Sequence, residues 1–178
     1  MSASTVQKLL ALGALSLGAL IAAPAHAARF RFAHGNADGG VTRGAVAAHA
    51  GEAASGVRGH RFVSDGQGNA RFSSGSAYKG ANGGVFKRAG QTTRGADGSM
   101  SHASGFNASG AKGSVQSQGS GTRDASGDVT QSRSTTGTSA ATGDSFKATE
   151  SYTKGEGVTR SVNCFDASGA QIACPAGK

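Results

Sequence analysis

The sequence predicts a mostly β protein: an antiparallel hairpin meander rich in Gly, Ser and Thr, with a weakly ordered N-terminal segment. Three observations carry this reading. Turn phrases pairing an Asx or Thr with glycine recur along the chain: Asn36-Ala37-Asp38-Gly39, Ala96-Asp97-Gly98, Asn107-Ala108-Ser109-Gly110, Asp124-Ala125-Ser126-Gly127, Ala141-Thr142-Gly143-Asp144 and Asp166-Ala167-Ser168-Gly169. Asn and Asp side chains bond the backbone two residues on, and glycine supplies the positive φ that hairpin turns need. Between the turns stand Thr, Ser, Val and Phe rather than helix formers. The third observation is a stretch near the C-terminus whose alternation is specific enough to set a register.

Taken in chain order, residues 1–27 read as a secretory signal. Lys8 supplies the positive charge, Leu9 to Ala23 form a fifteen-residue apolar run with a single Ser, and Pro24 breaks it before the small-residue site Ala25-His26-Ala27. Cleavage is expected after Ala27. The run is shorter than the roughly 20 apolar residues that cross a bilayer, so the expected secreted chain has no transmembrane segment. Export points to the periplasm, the cell envelope or the space outside the cell.

All six leucines fall inside this segment. From Ala28 onward, Val, Ile, Met, Phe and Tyr make up roughly one residue in seven, below the fraction of about one in five at which a chain reads as unable to bury a core. Backbone hydrogen bonds, close packing at glycine, a disulfide or a partner must hold any fold.

Residues 28–84 form a basic Gly/Ala-rich segment, expected to be partly disordered. Within it Arg43 to Ser55 offers a marginal helix, weakened by about 1 kcal/mol at each interior glycine. Gly80 to Gly84 reads as a loop and a boundary. Residues 85–178 form the antiparallel hairpin region. From Asp97 the turn phrases, with Lys154-Gly155-Glu156-Gly157, recur at the interval of one strand and its turn, and no strict unit length is evident. The stretch from Asn107 to Ser145 has Val115 and Val129 as its only large apolar residues, so it forms strand only if neighbouring backbone or Thr and Ser ladders hold it.

The clearest hairpin pairs Thr153 with Gly157. Counting outward sets Tyr152 against Val158, Glu150 against Arg160, Ala148 against Val162 and Phe146 against Cys164, giving aromatic–aliphatic and acid–base cross-strand pairs. A further turn at Ser168-Gly169 would return Cys174 to Cys164. In an exported chain these two cysteines form one disulfide, with α-carbons about 4.4 to 6.8 Å apart. Phe165-Asp166-Ala167-Ser168-Gly169 is similar to the Tyr-Asp-x-x-Gly phrase of secreted toxin and teneurin-type repeats; the likeness covers five residues and names no family.

Charge divides unevenly. Arg29 to Arg94 holds ten Lys or Arg against three acids, whereas Gly95 to Lys178 is balanced at seven and seven. Basic residues beside phenylalanine recur, as in Arg29-Phe30-Arg31-Phe32, Arg58-Gly59-His60-Arg61-Phe62, Arg71-Phe72 and Phe86-Lys87-Arg88. Arg29, Arg31, Arg58, Arg61, Arg71, Lys87 and Arg88 are therefore the candidate contacts to a polyanion such as lipopolysaccharide, nucleic acid or acidic polysaccharide. The alternative is plain strand alternation, with Phe inward and Arg outward.

His34, His49, His60 and His102 stand singly, read as exposed or loop residues without a His-x-x-x-His pair. Neither a Gly-x-Ser-x-Gly elbow nor a Walker loop occurs, and Gly66-Gln67-Gly68 lacks the third glycine of a dinucleotide loop. The reading is of a non-catalytic protein without metal or cofactor, serving a structural or interaction role, with polyanion binding as the alternative.

Overall fold

Short hydrogen-bonded turns punctuate the chain and decide where each strand stops. At Asn36-Ala37-Asp38-Gly39-Gly40 the Gly39 N–H donates to the Asn36 carbonyl and the Asn36 N–H to the Gly40 carbonyl, at 3.1 and 2.9 Å. Gly39 takes φ 82°, the left-handed conformation that closes a three-residue hairpin loop with a bulge. The same two bonds recur at 80–84, 95–99, 124–128 and 166–170.

Between the turns, a computed structural model describing residues 26–175 shows eleven strands. They are β1 His26–Gly35, β2 Val41–Ala50, β3 Ala54–Ser64, β4 Ala70–Gly80, β5 Val85–Arg94, β6 Met100–Gly110, β7 Gly113–Arg123, β8 Val129–Ser139, β9 Ser145–Thr153, β10 Gly157–Phe165 and β11 Gln171–Ile172. All lie in one sheet in sequence order, each antiparallel to the next. The expected hairpin meander is therefore the fold, and no helix of the described residues is long and apolar enough to cross a membrane.

At one end of the sheet the turns begin at Asn36, Asp65, Gly95, Asp124 and Thr153, so a two-strand unit recurs at intervals equal to within one residue. This corrects the expectation of no strict unit length. The repeat belongs to the hairpin, and turns of unequal length at the other end hide it from a strand-by-strand count.

Several local readings change. Arg43 to Ser55 is not helical: it spans most of β2, the turn and the start of β3. Its alanines and glycines allow the close ladder pairing that satisfies the β2 backbone from both sides. Asn107 to Gly110 is the end of β6, and the turn is Ala111-Lys112, closed by Gly110 opposite Gly113. His34, His49, His60 and His102 are exposed, as expected, and stand on strands. Gly80 to Gly84 is the β4–β5 turn, and one sheet continues through it. The signal assigned to residues 1–27 lies outside the described residues except for His26 and Ala27, which open β1.

The C-terminal register is as expected, pair for pair, from Thr153 opposite Gly157 to Phe146 opposite Cys164. β11 adds Ile172 opposite Cys164, and the Cys164–Cys174 disulfide has its α-carbons 5.2 Å apart.

Strands pack extensively only against their sequence neighbours, so no second layer of the described residues covers either face. Ala45 and Cys164 are the sole buried apolar residues among those described. Other devices replace a core. Hydroxyls pair across strands, Ser117 with Thr135 at 2.9 Å and Thr122 with Thr130 at 2.8 Å, so the apolar-poor stretch between Asn107 and Ser145 is held by a Ser/Thr ladder. Aromatic rings lie over glycines directly opposite: Phe32 on Gly44, Tyr78 on Gly56 and Phe146 on Gly137, where an added Cβ would overlap the ring. Each ring shields backbone that glycine leaves bare.

Candidate polyanion-binding face

Residues paired across an antiparallel ladder point to the same side of the sheet, so the register sorts every side chain onto one of two faces. The first face carries Arg29 and Arg31 from β1, Arg43 from β2, Arg58 from β3, Arg88 and Arg94 from β5, and Arg123, Arg133 and Arg160 from β7, β8 and β10. Among the described strands, Glu150 supplies the one carboxylate on it. The opposite face is dominated by Ser, Thr, Gln and Asn from β6 onward.

Arg29, Arg58 and Arg88 occupy equivalent places in successive hairpins: Arg29 and Arg58 both pair with Ala47, and Arg58 and Arg88 both pair with Ser76. They are two strands apart, so their backbone positions are spaced at roughly 9.5 Å. Arg88 Nε donates to Ser76 Oγ at 3.2 Å. Arg43 lies over the Phe62 ring, 5.0 Å from its centroid, a cation–π contact that steadies the guanidinium. A hollow of about 640 Å³ opens here among Arg29, Arg31, Arg43, His60, Phe62 and Phe72.

Beside the cations runs an aromatic series on the same face, His49–Tyr78–Phe86–Phe106, with centroids 6.1, 6.5 and 6.0 Å apart. Its continuation through Val115 to Phe146 and Ile172 lines an apolar hollow of about 610 Å³. The face thus combines guanidinium groups, which bind phosphate or carboxylate through paired donors, with flat rings on which a planar group can stack.

The carboxylates are placed elsewhere. Apart from Glu150, every acid among the described residues lies in a turn, and the turns at one rim bring Asp38, Asp65, Asp97, Asp124, Asp128 and Glu156 into a row. The Asn69 side-chain amide, then the Gln67 N–H, hold Asp65 below the ordinary carboxylate range. Ser99, Ser126 and Ser168 do the same for Asp97, Asp124 and, at the other rim, Asp166, with backbone N–H donors adding to each. These groups stay ionised and commit their charge to turn hydrogen bonds.

Four of the seven sequence candidates, Arg29, Arg31, Arg58 and Arg88, meet on the arginine face. Arg61, Arg71 and Lys87 point to the opposite side. Phe62, Phe72 and Phe86 stand on the arginine face, so alternation is present but neither side is inward. Sequence reading missed Arg43, Arg94, Arg123, Arg133 and Arg160; the hairpin period would have found Arg94 and Arg123, which hold equivalent places in successive hairpins. Nine of the fourteen strand cations share the arginine face, six of them before Gly95, while Arg61, Arg71, Lys79, Lys87 and Lys147 stand on the other. Among the described residues no three of His, Cys, Asp and Glu converge as a metal site.

Comparison with protein-family models, with curated proteins and with solved structures returned no match.

Proposed function

We propose that this is a small non-catalytic interaction protein, exported to the periplasm, cell envelope or extracellular space, that holds an acidic polymer against its arginine face. The observation that carries the reading is the gathering of nine of the eleven strand arginines onto one side, which holds a single carboxylate among the described strands and which no second layer of the described residues covers. Cations repeated at a regular spacing across several strands suit a repeating anionic chain, which can reach more than one of them at once. The apolar-then-small composition of residues 1–27 and the disulfide support export.

The test is retention of the secreted chain on heparin against rising salt, where polyanion binding must weaken steeply. Arg29→Ser/Arg58→Ser/Arg88→Ser should elute at clearly lower salt. Arg61→Ser/Arg71→Ser/Lys87→Ser removes the same charge from the other face and should elute close to the unmodified protein. Equal shifts for the two triple variants would reduce the effect to net charge and overturn the assignment to a face.

A further inference from the structure

We infer that a second copy of this chain adds its β1 to the open edge of β10, so that copies join edge to edge into one continuous sheet. The inference rests on the edges and is independent of polymer binding.

β11 begins an eleventh lane beside β10 but fills only two positions of it, opposite Cys164 and Phe165. The disulfide to Cys174 then takes the chain out of the lane. Gly157 to Asn163 have no ladder partner among the described residues on that side, where only the Gln171 side chain reaches Asn163. Because Asp166 bonds Ala170 across the turn, alternation leaves the N–H and C=O groups of Val158, Arg160 and Val162 pointing into the vacancy. At the other edge Asn36 bonds Gly40, so Arg29, Arg31, Ala33 and Gly35 present their backbone groups outward. With cleavage after Ala27, the available β1 runs from Ala28 to Gly35, one position longer than the open lane.

Direction matches too. Ten full-length strands alternate, so β1 of a following copy would run antiparallel to β10 and parallel to β11, as the lane requires. Pairing the outward residues of β1 with those of β10 keeps the arginine faces of both copies on one side. The most exposed large apolar residues among those described are on these two strands, Val162 at 57% and Val158 at 55% on the arginine face and Phe30 at 64% on the opposite one, so the new pairing would cover one edge residue or more on each side of the sheet. Neither edge carries a proline that would block a new strand. The short β11 and its disulfide act as a stop that confines pairing to Gly157–Asn163.

A head-to-tail contact of this kind leaves a free β1 edge and a free β10 edge on every open assembly, so size grows with concentration. Arg29 and Arg31 would approach Arg160, so salt must strengthen assembly by screening them, the opposite of its effect on polyanion binding. The test is sedimentation of the secreted chain over a range of concentration and salt without any polymer, with amide hydrogen exchange followed residue by residue. The expected result is growth in size with both variables, and protection gained together at Arg29, Arg31 and Ala33 and at Val158, Arg160 and Val162. Val162→Pro removes an N–H that β9 does not use and should abolish growth while leaving the Phe146–Cys164 pairing protected. A monomer under all conditions would overturn the inference. So would protection of β1 alone, which would mean two-fold pairing of β1 with itself, or growth that leaves the β10 amides exchanging freely.

Discussion

Glu150 stands between two arginines: Arg160 Nη2 lies 3.1 Å from its Oε1 across β9 and β10, and Arg133 is its register partner on β8. Both members of the Arg160 pair are largely exposed, so the bond itself is worth at most about 1 kcal/mol. Its larger effect is on the face, where Glu150 is the one negative charge among the described strands. Glu150→Gln should unfold in urea within about 1 kcal/mol of the unmodified protein. The same variant should need more salt to leave heparin.

Ser117 is the least exposed side chain in the described sheet, at 2%. Its hydroxyl pairs with Thr135 at 2.9 Å and accepts from Arg133 Nη1 at 2.9 Å. Ser117→Ala removes both contacts at once and should cost about 1 kcal/mol in urea unfolding. Ser120→Ala, whose 3.2 Å contact with Ser132 is exposed, should cost distinctly less.

At Gly137 a methyl group would overlap the Phe146 ring. Gly137→Ala is expected to lose about 1 to 3 kcal/mol, as overpacking does. At Gly75 an added Cβ meets only the Arg88 carbonyl, at 3.4 Å, and Gly75→Ala should be nearly neutral. Adding Phe146→Ala to Gly137→Ala should lose less than the two single losses together, and a double-mutant cycle reads this directly.

Replacing Cys164 and Cys174 by Ser removes the disulfide cross-link between β10 and the segment that follows it. The chain-entropy argument gives a loss of about 2 to 3 kcal/mol. β11, with only two paired residues, should lose its amide protection, while the nine pairs of β9 with β10 remain.

Asp65, Asp97, Asp124 and Asp166 are all held below the ordinary carboxylate value by turn hydrogen bonds. A depressed folded-state value means that the stabilisation is complete above the unfolded value, about 3.9, and fades as pH falls through the lower folded one. Thermal midpoints should hold level down to about pH 5 and decline below about pH 4. Asp124→Asn/Asp166→Asn should start lower at neutral pH and decline less.

Much of the fold was legible because its signals are local. Asp166-Ala167-Ser168-Gly169 bends through bonds among its own atoms, and Tyr152, Glu150 and Phe146 could be matched with Val158, Arg160 and Cys164 because the turn between them is short. Arg43 to Ser55 misled for the converse reason. Its composition permits a helix in isolation, and only the ladders offered by β1 and β3 on either side make it a strand.

The sequence by itself determined most of the turns, the C-terminal register and disulfide, and the excess of cations beside phenylalanines. Those depend on residues a few positions apart. Which cations act together was decided by the tertiary structure, because side-chain direction alternates along a strand and only the summed register across ten strands carries Arg29 and Arg133 to one side while sending Arg61 and Lys87 to the other. A shift of one residue at any hairpin would have exchanged the faces beyond it. The arginine face is a property of the whole ladder and of no segment within it.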